Sequence, residues 1–212
     1  MSRIHDALEN ARALVPTGTS GAIAEPPRLP GAVTATDLPL LRLWQAIDVK
    51  LAGKPRRVIQ IAPCGEGEHD PAVAVRLARL AGRAMGGGVL LLNSIESETR
   101  MDDGGEVAVG PLPGRAGDVR ALNPRLLSAC WERLAEQAEL IVLDTPPLLS
   151  SPLAQALAPT VDGVVLVVEA ERTRTADAIE ARRALETGGA TILGVVLNKQ
   201  RRPLPDALHK RL

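Results

Sequence analysis

The run "LIVLDTPPLLSSPLAQALAPTVDGVVLVVEAERTRTADAIEARRALETGGATILGVVLNKQ", residues 140–200, decides the architecture. It holds the nearly unbroken Val/Ile/Leu runs "LIVLD", "GVVLVVE" and "TILGVVLN", separated by helix-like segments near 151–158 and 175–187. Apolar runs of that length suit strands buried on both faces, and strands alternating with helices indicate a parallel sheet covered on each side. Upstream, "RVIQIA" and "GGVLLLN", with helix-like segments near 71–84 and 124–138, continue the pattern. The expected fold is α/β, a doubly wound, mostly parallel sheet with helices on both faces, over residues 37–200. Its ligand crevice belongs at the carboxyl ends of the strands, where "PCGEGEHD", "NSIESE" and "DTPPLL" emerge.

Working outward, Asp37 and Pro39 open a helix with Leu40, Leu43, Trp44, Ile47 and Leu51 on one face. Before it, residues 15–36 are loaded with Pro, Gly, Ser and Thr and show no period, the composition of a flexible linker. Residues 1–14 place Ile4, Ala7, Leu8, Ala11 and Leu14 at helical spacing, so an amphipathic helix is expected there, too short to be stable alone. Docking on a partner through Ile4, Leu8 and Ala11 and packing back on its own domain are equally compatible with that stripe. At the other end, 201–212 form a basic tail. With Lys199, its residues Arg201, Arg202, Lys210 and Arg211 suit a solvated surface first and an anionic membrane surface or acidic partner second.

Composition removes several classes of function. Twenty-five basic and 25 acidic residues balance, so no global field draws the chain to nucleic acid. No apolar stretch approaches the roughly 18 residues of a membrane span, and the N-terminus carries acids unlike a signal peptide, so a cytoplasmic location, peripheral at most to the inner membrane, is expected. Cys64 and Cys130 stand far apart outside any CxxC pattern and read as free thiols. The chain has no Tyr and no Phe, and Trp44 and Trp131 are its only aromatic residues. Chemistry that requires a tyrosine of this chain is excluded.

The stretch "IAPCGEGEHDPAVAVRLARLA", residues 61–81, has the outline of a phosphate-binding loop: an apolar strand, a Gly-x-Gly turn, then a helix. Where a lysine would follow Gly67 there is Glu68. Asp70 and Pro71 suit the N-cap and first turn of the helix, which sets an acid at the terminus that would otherwise hold an anion. Cys64, Glu66, Glu68, His69 and Asp70 are all capable metal ligands, but adjacent positions rarely converge on one ion, and a solvated acidic loop with no metal is the simpler expectation.

Residues 140–200, with "VGPLPG", "NPRLLS" and the opening "MSRIHDAL", resemble the bacterial tyrosine autokinases of exopolysaccharide synthesis, relatives of the septum-positioning and partitioning ATPases. The likeness spans most of the chain, is weak over 86–108, and implies a P-loop NTPase-like fold. In that family a Gly-Glu-Gly-Lys-Ser/Thr loop wraps the phosphates, its lysine neutralising charge and its hydroxyl binding magnesium. Mapped here, Gly65, Glu66 and Gly67 stand, while Glu68 takes the lysine position and His69 the hydroxyl position. The second motif, Asp-x-Asp after a strand, is replaced by Asn93 and Ile95, neither of which accepts a proton in that role. Asp144 matches the third motif and Asn198 the base-contacting asparagine, a position equally suited to a strand-ending turn. The tail lacks the family's tyrosines, and "PLLRLWQ" retains at most Arg42 of its ring-forming helix.

The resemblance therefore implies a non-catalytic binding or regulatory subunit of exopolysaccharide or capsule assembly, with no cofactor. The implied partner is the cytoplasmic segment of a membrane polysaccharide copolymerase or another autokinase-like chain, with homo-oligomers left open. The alternative is an ATPase using ATP and magnesium in an unorthodox site built on Asp144 and Asn198.

Overall fold

The computed structural model describes residues 37–54, 56–65, 71–94, 100–102, 107–113 and 122–200. In chain order the elements are α1 (Leu38–Leu51), β1 (Val58–Pro63), α2 (Ala72–Met85), β2 (Val89–Asn93), β3 (Arg100–Met101), β4 (Val107–Pro111), α3 (Pro124–Ala135), β5 (Leu140–Asp144), α4 (Pro152–Leu157), a 3-10 turn (Ala158–Thr160), β6 (Gly163–Glu169), α5 (Thr175–Thr187) and β7 (Ile192–Asn198). The expected helix and linker at 1–36 and the tail at 201–212 lie outside the described residues.

The strands form one seven-stranded sheet in the order β3-β4-β2-β5-β1-β6-β7, parallel except for the β3–β4 pair. Within the fully buried strands, alternate residues serve opposite layers. Ile59, Ile61, Leu91, Val142, Val165 and Val167 meet α1 and α2 on one face. Val58, Leu90, Leu92, Ile141 and Leu143 meet α3 on the other, and Ala62, Val164 and Leu166 meet α4 and α5. Each such buried Val, Ile or Leu side chain stabilises the fold by about 1.5–3 kcal/mol relative to exposure. The two aromatic residues are both core: Trp44 is buried in α1, and Trp131 in α3 donates its Nε1–H to Thr160 Oγ1 at 2.9 Å.

The five apolar runs read from the sequence are all strands, and two more strands join them. β4 pairs in parallel with β2 from Val89↔Val107 to Asn93↔Pro111, and the two-residue β3 closes that side antiparallel. Neither stands out locally: β3 has two residues, and β4, VAVGP, is interrupted by Ala108 and ends in Gly110-Pro111.

Helix ends differ in detail from the sequence expectation. Asp37 precedes α1 as read, but its side chain does not cap the helix; its Oδ1 accepts from Arg76 Nη2 of α2 at 2.8 Å, tying the two helices of that face together. Helix α2 begins at Ala72, with Pro71 at the cap position and its carbonyl accepting from Val75 N; Asp70 lies outside the described residues. Its far end is stopped by Gly86, Gly87 and Gly88, all at positive φ, and Gly87 N bonds back to Gly82 O at 2.8 Å. α3 ends at Ala135 rather than near 138, because a turn at 136–137 delivers the chain into β5. Asn123 caps α3 through Arg125 N, and Ser151 caps α4 through Ala154 N.

Candidate functional site at the strand carboxyl ends

From β1 the chain crosses over α2 to β2, and from β5 it crosses over α4 to β6, in opposite directions along the sheet. The neighbouring strands β1 and β5 therefore form the switch point, where a parallel sheet opens a crevice at its carboxyl edge. Register places Asp144 beside Ile61 on one side and Asn93 on the other, so the ends of β1, β5 and β2 meet there. Asp144 and Asn93 are both buried.

The two loops at this point are laced together. Thr145 N and Oγ1 both donate to Ile61 O at 3.2 Å, Leu148 N donates to Pro63 O at 2.8 Å, and Leu149 N donates to Cys64 O at 3.3 Å. Beneath them Gln60, fully buried on β1, donates through Nε2 to Thr145 Oγ1 and Ala154 O. Cys64 N bonds Val167 O on β6, fixing the entry to the loop at half-buried Gly65. The frame of a phosphate-binding turn is thus present up to Gly65. Glu66, Gly67, Glu68, His69 and Ile95 lie outside the described residues.

Cys64 and Cys130 are both free and buried. Burial pushes the Cys130 thiol up to about 12, against the opposing pull of the Arg133 charge. It is held as a neutral core group. Among the described residues no group of three or more His, Cys, Asp or Glu side chains is arranged to hold a metal ion.

Asn198 is the last residue of β7, and its carbonyl accepts from Ala170 N at 2.9 Å. Beside it stands a pair the sequence reading did not single out. Glu169, buried at the end of β6, receives Lys199 Nζ at 3.1 Å and lies 3.9 Å from Arg172 Nη1. Lys199 and Glu171 both take left-handed backbone (φ 55° and 64°), which is uncommon for non-glycine residues. The available signal was an acid ending an apolar run, the same pattern that exposes Asp144. A second unread feature is a cavity of about 130 Å³ between α2, β2 and β4, where Arg79 donates to Asp102 at 2.8 Å beside Arg100 and Asn93.

The sheet order, the crevice at β1/β5 and the helices on both faces define a P-loop NTPase-like α/β domain. Its homologues are bacterial tyrosine-protein kinases. The chain is 31% identical over 102 residues to CapB of Staphylococcus aureus (48% of this chain, 44% of that protein). It is 34% identical over 94 residues to tyrosine-protein kinase YwqD of Bacillus subtilis (42% and 37%). Against tyrosine-protein kinase CpsD of Streptococcus agalactiae it is 25% identical over 183 residues (72% and 79%). The first two matches thus span less than half the length of those relatives.

Among solved structures, the kinase domain of the Escherichia coli tyrosine kinase ETK superposes with TM-score 0.64 at 16% identity, covering 85% of this chain and 88% of that one. The chimeric protein CapA2B2 gives 0.65 at 19% identity, with coverage of 80% and 87%. The septum site-determining protein MinD of Pyrococcus horikoshii gives 0.54 at 19%, with coverage of 74% and 76%. At those identities the likeness is one of fold. No family model matches the chain, and among the described residues no helix is long and apolar enough to cross a membrane.

Proposed function

We propose that this chain is a non-catalytic, autokinase-like subunit of bacterial capsule or exopolysaccharide assembly, acting by binding and regulation rather than phosphoryl transfer. The observation that carries the reading is the register pair Asn93↔Asp144: the strand ends at the switch point bring one carboxylate where the family's motifs bring carboxylates from both strands. With Glu68 in the lysine position and His69 in the hydroxyl position, the donor set does not fit a magnesium nucleotide. A carboxylate there repels phosphate, and an asparagine neither neutralises magnesium nor accepts a proton from the attacking group. No step of a nucleotide reaction is therefore assigned to this crevice. The expected partner is the cytoplasmic segment of a polysaccharide copolymerase or an autokinase-like chain, with the stripe Ile4, Leu8 and Ala11 as the contact and the domain peripheral to the inner membrane.

A titration with magnesium-ATP tests the reading. A ligand at a hundredfold excess over its dissociation constant stabilises a fold by about 2.7 kcal/mol, a clear rise in melting temperature. No rise is expected; a dose-dependent rise would establish the alternative, an ATPase built on Asp144 and Asn198. For the partner, Ile4→Asp with Leu8→Asp is expected to abolish capture of the copolymerase segment while leaving the melting temperature unchanged. A destabilised domain with capture intact would mean that the stripe packs on its own chain.

A further inference from the structure

Among the described residues β7 ends the sheet, with β6 as its one strand neighbour. None of its seven residues, Ile192–Asn198, is charged. An irregularity in the β6–β7 ladder between Val164 and Val165 leaves Leu193 as an extra residue, and the faces of the strand change there. Leu193 and Val196 pack in the α1 layer, and a Cβ on Gly194 would stand 2.9 Å from Leu43 of α1. Past the bulge the strand is regular. Val196 faces α1, and Val195 and Leu197 face the opposite side, where they remain 60% and 52% exposed.

The backbone has the same polarity. Asn198 O accepts from Ala170 N beyond β6, and in a parallel ladder the N–H and C=O of one residue point to the same side, alternating along the strand. Gly194, Val196 and Asn198 therefore bond inward, while Val195 and Leu197 turn their donors and acceptors to the open edge. Edge strands are normally blunted by lysine, proline or a bulge. Here the bulge at Leu193 and Lys50, whose Nζ donates to Leu193 O at 3.3 Å, sit at one end, while Lys199 at the other is paired with Glu169. Among the described residues no strand pairs with β7 on that side.

We propose that this edge pairs with a second copy of the chain, β7 running antiparallel to its counterpart about a two-fold axis at Val196. In that register Val195 lies opposite Leu197 of the second copy, and Leu197 opposite its Val195. Both are hydrogen-bonded pairs, so all four outward N–H and C=O groups of these two residues find partners. The two exposed apolar side chains of each copy meet across the axis, Val196 pairs with its counterpart on the α1 face, and no like charges are opposed. A two-fold axis also consumes the edge, so growth stops at the dimer. The chain's own segment 201–212 follows β7 directly but is a poorer occupant, because Pro203 and Pro205 have no N–H to give a ladder.

Sedimentation equilibrium of the full chain over a wide concentration series reads the association. Val195→Lys with Leu197→Lys sets ammonium against ammonium twice and is expected to raise the dimer dissociation constant by roughly tenfold or more, with the melting temperature of the monomer unchanged because both positions are exposed. Val195→Lys with Leu197→Glu sets opposite charges against each other in both pairs and is expected to restore the dimer. A chain monomeric at every concentration, a mass climbing past the dimer, indifference to the double lysine variant or failure of the charge-paired variant would each overturn the proposal. So would a dimer that forms only after residues 201–212 are removed, which would identify the tail as the occupant.

Discussion

The two edges of the sheet are finished differently. On the β4 side, a two-residue antiparallel strand returns the chain and polar bonds lock the turn: Asp102 N donates to Val107 O at 2.8 Å, Val107 N donates to Asp102 Oδ1 at 3.1 Å, and Arg79 of α2 donates to Asp102 Oδ2 at 2.8 Å. On the β7 side there is no returning strand among the described residues; the strand's start rests on apolar fit, with Leu193 pressed over Gly163 and Leu43 over Gly194, while Lys50 on Leu193 O and the Lys199–Glu169 pair mark its two ends. One edge is closed by a returning strand locked with polar bonds; the other is seated mainly by shape and, among the described residues, has no strand beyond it. The lesson is that the two sides should fail by different mechanisms.

The largest expected effect is at the shape-held edge. A Cβ on Gly163 would lie 2.4 Å from Leu193 Cγ and under 3 Å from both of its terminal carbons, so Gly163→Ala is expected to cost about 2–3 kcal/mol by overpacking. Leu193→Ala in the same chain should recover part of that loss, and urea denaturation of the double-mutant cycle reads the coupling. Strict additivity of the two changes would remove Leu193 from the account of this edge.

At the bonded edge, Asp102→Ala is expected to cost about 1–2 kcal/mol, because it leaves a buried Val107 N–H without its acceptor. Arg79→Ala should cost less, under about 1 kcal/mol, since that guanidinium is 43% exposed and its ion pair is screened by solvent. Amide exchange at Val107 should accelerate in the first variant and hardly change in the second. Equal losses would assign the anchoring to the ion pair rather than to the backbone bond.

The effect that is smallest up to about pH 9.0 concerns the layer beneath β4, where Cys130 packs with Ala108 and Leu112. Its thiol ionises near 9.0 when unfolded and is pushed to about 12 by burial in the fold. The unfolded chain therefore loses this proton first, and stability present below pH 9.0 declines as pH rises toward 12, with a limiting slope of about 1.4 kcal/mol per pH unit. At pH values just above 9.0 the loss is below about 1 kcal/mol. Cys130→Ala should flatten the alkaline limb of the stability profile; an unchanged limb would place the titrating group elsewhere.

What was legible beforehand followed burial. Strands covered on both faces must be apolar along their whole length, so "LIVLD" and "GVVLVVE" announce themselves, and the boundaries of β5, β6 and α5 coincide with those read from the residues. β3 and β4 were not legible: β3 has only two residues, and β4, though as long as β2 and β5, mixes Ala, Gly and Pro with two valines and so lacks the unbroken Val/Ile/Leu run that marks the others. Of the candidate site, Asp144 and Asn93 were read as strand-end residues and the fold brings them into register. The Glu169–Lys199 pair escaped notice because its partners are 30 residues apart and share no motif.

By itself the sequence determined the alternation of strand and helix, the aliphatic core that a chain without Phe or Tyr must build, and the chemical identity of the groups at the strand ends, Glu68 in place of a lysine above all. These are local properties, set by side-chain chemistry and by the period of burial. The tertiary structure alone decided which strands are neighbours, and from that the rest follows. It turned Asp37 from a helix cap into the partner of Arg76, set Asn93 beside Asp144, and left β7 at an edge with Val195 and Leu197 exposed. Such outcomes depend on contacts between residues far apart in the chain, where small differences in packing and backbone bonding choose among arrangements that local preference leaves equivalent.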